Sequence, residues 1–292
     1  MISSVINRHR LGKDRAAAVA RVVSRMKNRL HEPLTLTELA RTEHFSPFHF
    51  HRVFRETTTT TPARFLAALR MAEARRLLVH SQLTVTEVST RVGYHSTGTF
   101  TTQFTRLVGV PPERFRRLAR SLPDRPVADL LPAAGGAARP PRGAGTLVRP
   151  QNGARRALLC LVYHPAGDDG QQDARWAFGP GGEPPPLDAV PGGVEYEASV
   201  VAIDPAATPT EALVDHAEGS RLIGSVRFRS PANEQSGLQV PVPLRRPRPI
   251  DPPALSVVPV RWLVELAQEL RHPTARLQHH DAVAQRILSP AS

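Results

Sequence analysis

Apolar positions in the first 120 residues recur at threes and fours, the period of a helix with one buried face. Over residues 14–30 they are Val19, Val22, Val23, Met26 and Leu30, with Arg21, Arg25 and Arg29 on other faces, and Pro33 ends the run. Thr35 and Glu38 follow, spaced to cap a short helix reciprocally around Leu36 and Leu39-Ala40. Ser46-Pro47 then opens another helix, the serine as cap and the proline at the first position, where its missing N–H costs nothing. Phe50, Val53 and Phe54 give that helix its inner face. The same pattern returns as Thr84 with Glu87 and Val88, then Val92-Gly93-Tyr94, Ser96, Phe100 and Phe104. Between the copies Thr61-Pro62 opens a helix to about residue 79, roughly 27 Å long. Its apolar residues, among them Phe65, Leu66, Leu69, Met71, Leu77 and Leu78, are not confined to one face, as expected of a helix packed against both flanking pairs.

Beyond residue 120 the pattern changes. Residues 121–153 are rich in Pro, Gly and Ala and predict a flexible linker. Short apolar or alternating runs follow at 156–163, 194–203, 222–228, 238–244 and 254–258, separated by Gly and Pro clusters, as in a small β-sandwich. Pro241 and Pro243 place the fourth run at an edge or a bulge. Two amphipathic helices are expected at the end, the first carrying Trp262, Leu263, Leu266 and Leu270, the second Leu277, Val283 and Ile287. The expected fold class is α + β multidomain. A helical domain with two helix-turn-helix units spans 14–120, the linker 121–153, a β-rich sandwich-like domain 154–260 and C-terminal helices 261–289.

Charge sharpens this division. The 292 residues carry 38 Lys and Arg against 26 Asp and Glu, a formal net charge of +12. Residues 1–122 hold 21 of the basic and 8 of the acidic residues, so the whole basic excess sits with the repeated helix pairs. That is the electrostatic footprint of a surface that neutralises phosphates. Prolines divide the other way, 5 before residue 122 and 24 after it. Cys160 is the one cysteine, which excludes an intrachain disulfide. With no long apolar run and a polar, basic start, a cytoplasmic protein with no membrane partner is expected.

Residues 15–120 closely resemble the DNA-binding domain of AraC/XylS-type transcription regulators. The matching residues are Leu39-Ala40, Ser46-Pro47 with Phe50 and Phe54, Thr61-Pro62-Ala63-Arg64-Phe65, Arg70-Met71 with Ala74 through Leu78, Val88 to Tyr94, Phe100 with Phe104, and Gly109 through Pro112. The resemblance implies seven helices, two of them reading DNA and bridged by the long central one. Two features depart from the family pattern. Threonines 57–60 stand where a glycine is usual, and a left-handed threonine is costly. The reader also comes first in the chain rather than last.

Setting Phe50, Val53 and Phe54 inward leaves Phe48, His51, Arg52 and Arg55 on the opposite face of the first reading helix. An arginine there can grip guanine O6 and N7 with two hydrogen bonds, and Phe48 can cover a thymine methyl or fold back on its own domain. The resemblance adds Phe48 and Arg52 as base-edge positions. On the second helix, Phe100 and Phe104 inward leave Gly98, Thr101, Thr102 and Thr105 outward, with Thr97 and Thr99 near its start. Threonine bonds phosphates or covers methyl groups but cannot fork onto guanine, so this helix should be the less selective of the two. Arg106 and the Arg114, Arg116, Arg117, Arg120 cluster are candidate phosphate contacts or a solvated face.

Other chemistry is poorly supported. His49 and His51 face different sides of one helix, and adjacent His279-His280 make an equally poor chelate, so no metal site is expected. Gly179-Pro180-Gly181-Gly182 lacks the ending of a phosphate loop and reads as an ordinary loop. No catalytic set emerges and no cofactor is expected. The reading is a transcription regulator of double-stranded DNA, with RNA polymerase and a small-molecule effector as further candidate partners and the oligomeric state open. The alternative is a DNA-tethered repair or modifying enzyme with its site in the β-rich domain.

Overall fold

In a computed structural model, the structure describes residues 2–129, 146–151, 157–166, 175–180, 186–187, 191–214, 221–231 and 239–253. Helix α1 (Ile2–Asn28) starts well before the expected residue 14 and buries Val19, Val22, Val23 and Met26. Helices α2 (Leu36–Arg41) and α3 (Pro47–Thr58) form one pair, and α5 (Val85–Arg91) and α6 (Thr97–Val108) a second. The long α4 (Pro62–His80) joins the pairs, and α7 (Pro112–Ser121) closes the second.

The pairs are built on matching aromatic ladders. In the first, Phe50 meets Phe54 at 5.5 Å and Phe54 meets Phe65 of α4 edge-on at 5.5 Å. In the second, Phe100 meets Phe104 and Phe104 meets Phe115 of α7, each at 5.6 Å. Helix α4 therefore closes the first pair as α7 closes the second. Phe65, Leu66 and Leu69 belong to the first core, and Met71, Ala74, Leu77 and Leu78 to the second. This double membership is why α4 has no single apolar face.

The β-rich portion holds two sheets. One has the order β3-β2-β5-β6, all antiparallel, from Arg175–Pro180, Leu158–Pro165, Glu195–Ile203 and Arg221–Arg229. The other is β4-β1-β7, from Pro186–Leu187, Thr146–Gln151 and Gln239–Pro243, with β1 parallel to β7. A bridge between Ile223 and Arg245 links the sheets. Pro241 and Pro243 stand exposed on β7 at the end of its sheet, while Val240 and Val242 point inward. Proline cannot donate to a ladder, so it is tolerated at such an end.

Strand β2 explains how this portion meets the helices. Alternate residues of a strand face opposite ways. Leu159, Leu161 and Tyr163 enter the core shared by the two sheets, with Tyr196, Phe228 and Val242. Leu158 and Cys160, together with Ile203 of β5 and Leu213 of a short helix α8 (Pro209–Leu213), enter the core of the second helix pair. Strand β2 is thus buried on both faces, and a continuous apolar run such as 158–163 is what that requires.

Both ends of the segment expected as a linker carry structure. Its first residues hold a 3-10 turn, Val127–Asp129, with Val127 buried and its N–H donating to Ala207 C=O at 2.8 Å. Its last residues form β1. Ile250, beyond β7, packs against the core of the first helix pair, in a turn braced by Arg245–Asp251 bonds of 2.6 and 2.7 Å. Gly179 and Pro180, read as loop, end β3. The apolar run at 254–258 and the helices expected over 261–289 lie outside the described residues. Among the described residues no helix is long and apolar enough to cross a membrane.

A shared core should unfold as a unit. Leu158→Ala is expected to cost about 2–5 kcal/mol, with helical ellipticity and the near-UV signal of buried Tyr163 lost in one coincident denaturant transition. Two separated transitions would contradict the shared core.

Candidate nucleic-acid interface

Each helix pair is set by the same local chemistry. Thr35 accepts from the Glu38 N–H at 3.2 Å while the Glu38 carboxylate accepts from the Thr35 N–H at 2.9 Å. Thr84 and Glu87 repeat this at 3.2 and 2.6 Å. The backbone N–H of the capping threonine holds each carboxyl below its ordinary range. The turns also repeat. The His44 N–H donates to Arg41 C=O and that of Phe45 to Ala40 C=O, while Gly93 donates to Thr90 and Tyr94 to Ser89. His44 and Gly93 are both left-handed, at φ 57° and 85°. Phe45 and Tyr94 then pack on Phe50 and Phe100, seating α3 and α6.

Helix α3 is caught at its start by Ser46, whose hydroxyl accepts from the His49 N–H. Phe48 stands 83% exposed, so it does not fold back on its own domain. Arg52 and Arg55 are exposed beside it. Arg52 is flanked on its own helix by His49, whose Nδ1 lies 3.3 Å from its Nη2, and by Glu56 at 3.9 Å. The His49 ring packs edge-on against Phe45 at 5.1 Å. An exposed pair of this kind contributes only about 0.3–0.5 kcal/mol, against about 1–3 kcal/mol for a bidentate guanine contact. The flanking groups therefore order Arg52 without locking it in place. His49 and Glu56 were missed in the sequence, although their i−3 and i+4 spacing from Arg52 was the available signal. His51 is different: it is half-buried and lines a cavity of about 160 Å³ with Leu34, Leu36, Leu39 and Leu66.

On α6, Gly98, Thr99 and Thr102 are exposed, while Thr97, Thr101 and Thr105 are half-buried. The Thr105 hydroxyl donates to Thr101 C=O at 2.7 Å, and Thr97 lies 3.5 Å from the Thr86 hydroxyl. Arg106 is exposed and donates to the Gln103 side chain at 2.9 Å. The α7 cluster divides. Arg114, Arg117 and Arg120 are exposed, but Arg116 is buried and donates to Leu83 C=O, so it is no phosphate contact. Arg116 holds the chain entering α5, a role that needs tertiary contact to recognise.

Cys160 bears on the alternative reading. It is buried between the sheet and the helices, and desolvation pushes its thiol up to about 12, the reverse of an activated thiolate.

Comparison with known proteins falls on this same region. Residues 39–118 match the helix-turn-helix domain family. Over 94 residues the chain is 34% identical to an uncharacterized HTH-type transcriptional regulator, YobQ, of Bacillus subtilis, covering 32% of this chain and 39% of that protein. Over 112 residues it is 34% identical to the HTH-type transcriptional regulator GlxA of Rhizobium meliloti, covering 38% and 34%. The chain thus spans well under half the length of these curated relatives. Among solved structures, the DNA-binding domain of the global transcriptional factor AdpA in complex with a target DNA is 33% identical. That match covers 35% of this chain and 93% of the other, with a TM-score of 0.35.

The end of α3 keeps a left-handed turn despite its run of threonines. Thr59 caps α3 in the left-handed region at φ 62°, where Gly109 caps α6 at φ 92°. A side chain in that region costs about 1–2 kcal/mol, and the added freedom of an unfolded glycine returns about 0.4–1 kcal/mol of that. Thr59→Gly should therefore stabilise the chain by about 0.5–1 kcal/mol in denaturant titration. Unchanged or lower stability would show that the threonine cap is not strained.

Proposed function

We propose that this chain is a sequence-specific DNA-binding transcription regulator that reads duplex DNA with two helix-turn-helix units. Residues 14–120 form the reader, with α3 and α6 as its reading helices, and the β-rich portion is a body built against it. The observation that carries this reading is the repeated unit itself: the same capping box, turn and aromatic seat each present a helix with an exposed outer face. The segregation of basic charge to residues 1–122 supports it, as does the match of that region to helix-turn-helix proteins. Phe48 and Arg52 are the base-reading side chains, Phe48 for a thymine methyl and Arg52 for guanine O6 and N7. Arg55, Arg106, Arg114 and Arg117 contact phosphates. The exposed threonines of α6 make its half of the site the less specified, with methyl contacts favouring thymine.

Selection of bound fragments from a random DNA library tests this directly. The full chain should yield a site with one sharply specified half and one degenerate, T-rich half. Arg52→Ala should cost about 1–3 kcal/mol on that site and relax preference at one position, and Thr102→Ala should cost less. Failure to enrich any sequence, or equal loss by Arg52→Ala on random and selected DNA, would overturn the assignment.

A further inference from the structure

Where α4 passes from one core to the other, it carries a charged residue. Leu69 belongs to the first core and Met71 to the second, and Arg70 lies between them, half-buried. Its Nε donates to Leu30 C=O at 3.0 Å and its Nη2 to Glu32 C=O at 2.8 Å. Both carbonyls lie in the link between α1 and α2. The same guanidinium sits over the Tyr94 ring, 5.6 Å from its centroid. Tyr94 follows the turn between α5 and α6 and packs on Phe100, in the first turn of α6. One side chain thus joins the entry of the first helix pair to the turn of the second.

The two pairs also meet directly at this point. A Cβ on Gly93 would stand 2.4 Å from the Leu30 carbonyl oxygen and 2.8 Å from Arg70 Nη2. The turn of the second pair therefore lies against the link of the first with no room for a side chain. A guanidinium suits this seam because its planar fork can meet two carbonyls while its face covers a ring. Burial lowers its pKa from the ordinary value without removing its charge near neutral pH.

We propose that Arg70 is a positioning residue that fixes the distance and rotational phase between α3 and α6. It thereby sets the spacing between the two halves of the DNA site. The spacing claim rests on the two-helix reading above; the claim about phase does not. Helix α4 supplies separation along its axis, but each pair packs on it through apolar contacts that are not directional. Hydrogen bonds and a stacked ring are directional, and they run continuously from the α1–α2 link through Arg70 and Tyr94 to Phe100.

The test uses the full chain, spin-labelled at Arg55→Cys on α3 and Thr102→Cys on α6, with buried Cys160 left in place. Distances are measured between the labels without DNA, and far-UV ellipticity verifies folding of each variant. The Arg70 chain should give one narrow distance distribution. Arg70→Met should lose the single narrow peak, as should Tyr94→Leu, while Tyr94→Phe, which keeps the ring, should retain it. In library selection with unlabelled protein, Arg70→Met should spread the separation between the specified half and the T-rich half, with the sharp half unchanged. A narrow distribution in folded Arg70→Met and Tyr94→Leu would overturn the brace, whatever the DNA results. A wild-type logo with a single block would overturn the two-part reading and leave the distance result to decide the brace.

Discussion

Helix α4 must satisfy two cores at once, and most of the architecture follows from that constraint. Its first half completes the ladder of Phe50, Phe54 and Phe65; its second half supplies Met71, Leu77 and Leu78 to the core around Phe100, Phe104 and Phe115. A helix of 19 residues is roughly 28 Å long, close to the roughly 34 Å that separates successive turns of one DNA groove. Arg70 marks the changeover, and the close approach of Gly93 to Leu30 leaves the second pair little freedom to swing about α4.

The β-rich portion adds to this rigidity rather than hanging from it. Leu158, Cys160 and Ile203 extend the second core, while Ile250 reaches the first. A body in contact with both helix pairs passes to them whatever alters its own packing. Coupling of that kind needs no contact between the β-rich portion and DNA.

Features set by neighbours in the chain were legible in the sequence. Thr35 with Glu38, Thr84 with Glu87, and Ser46-Pro47 announce helix starts because capping is local chemistry. The inner faces of α3 and α6 followed from spacing alone. Features set by distant contacts were not legible. Strands β1 and β4 depend on partners far along the chain: Thr146–Gln151 is a strand because 239–243 lies beside it, and Pro186–Leu187 because 146–147 does. His51 shares the spacing of the outer-face residues, but it lines a hollow together with Leu36 and Leu66. Arg116 reads as surface charge until Leu83 C=O is brought to it. The docking of the sheet had left a trace in the unbroken apolar run of β2, which no one-sided strand would need.

In the proposed reading α3 and α6 are held as one rigid pair against a single face of the duplex. A hydroxyl-radical footprint of the full chain on a selected fragment tests this most directly. It predicts two protected patches about 10 base pairs apart on the same side of the helix, with Arg52→Ala weakening the patch at the specified half. A single patch, or protection that runs evenly around the duplex, would contradict it.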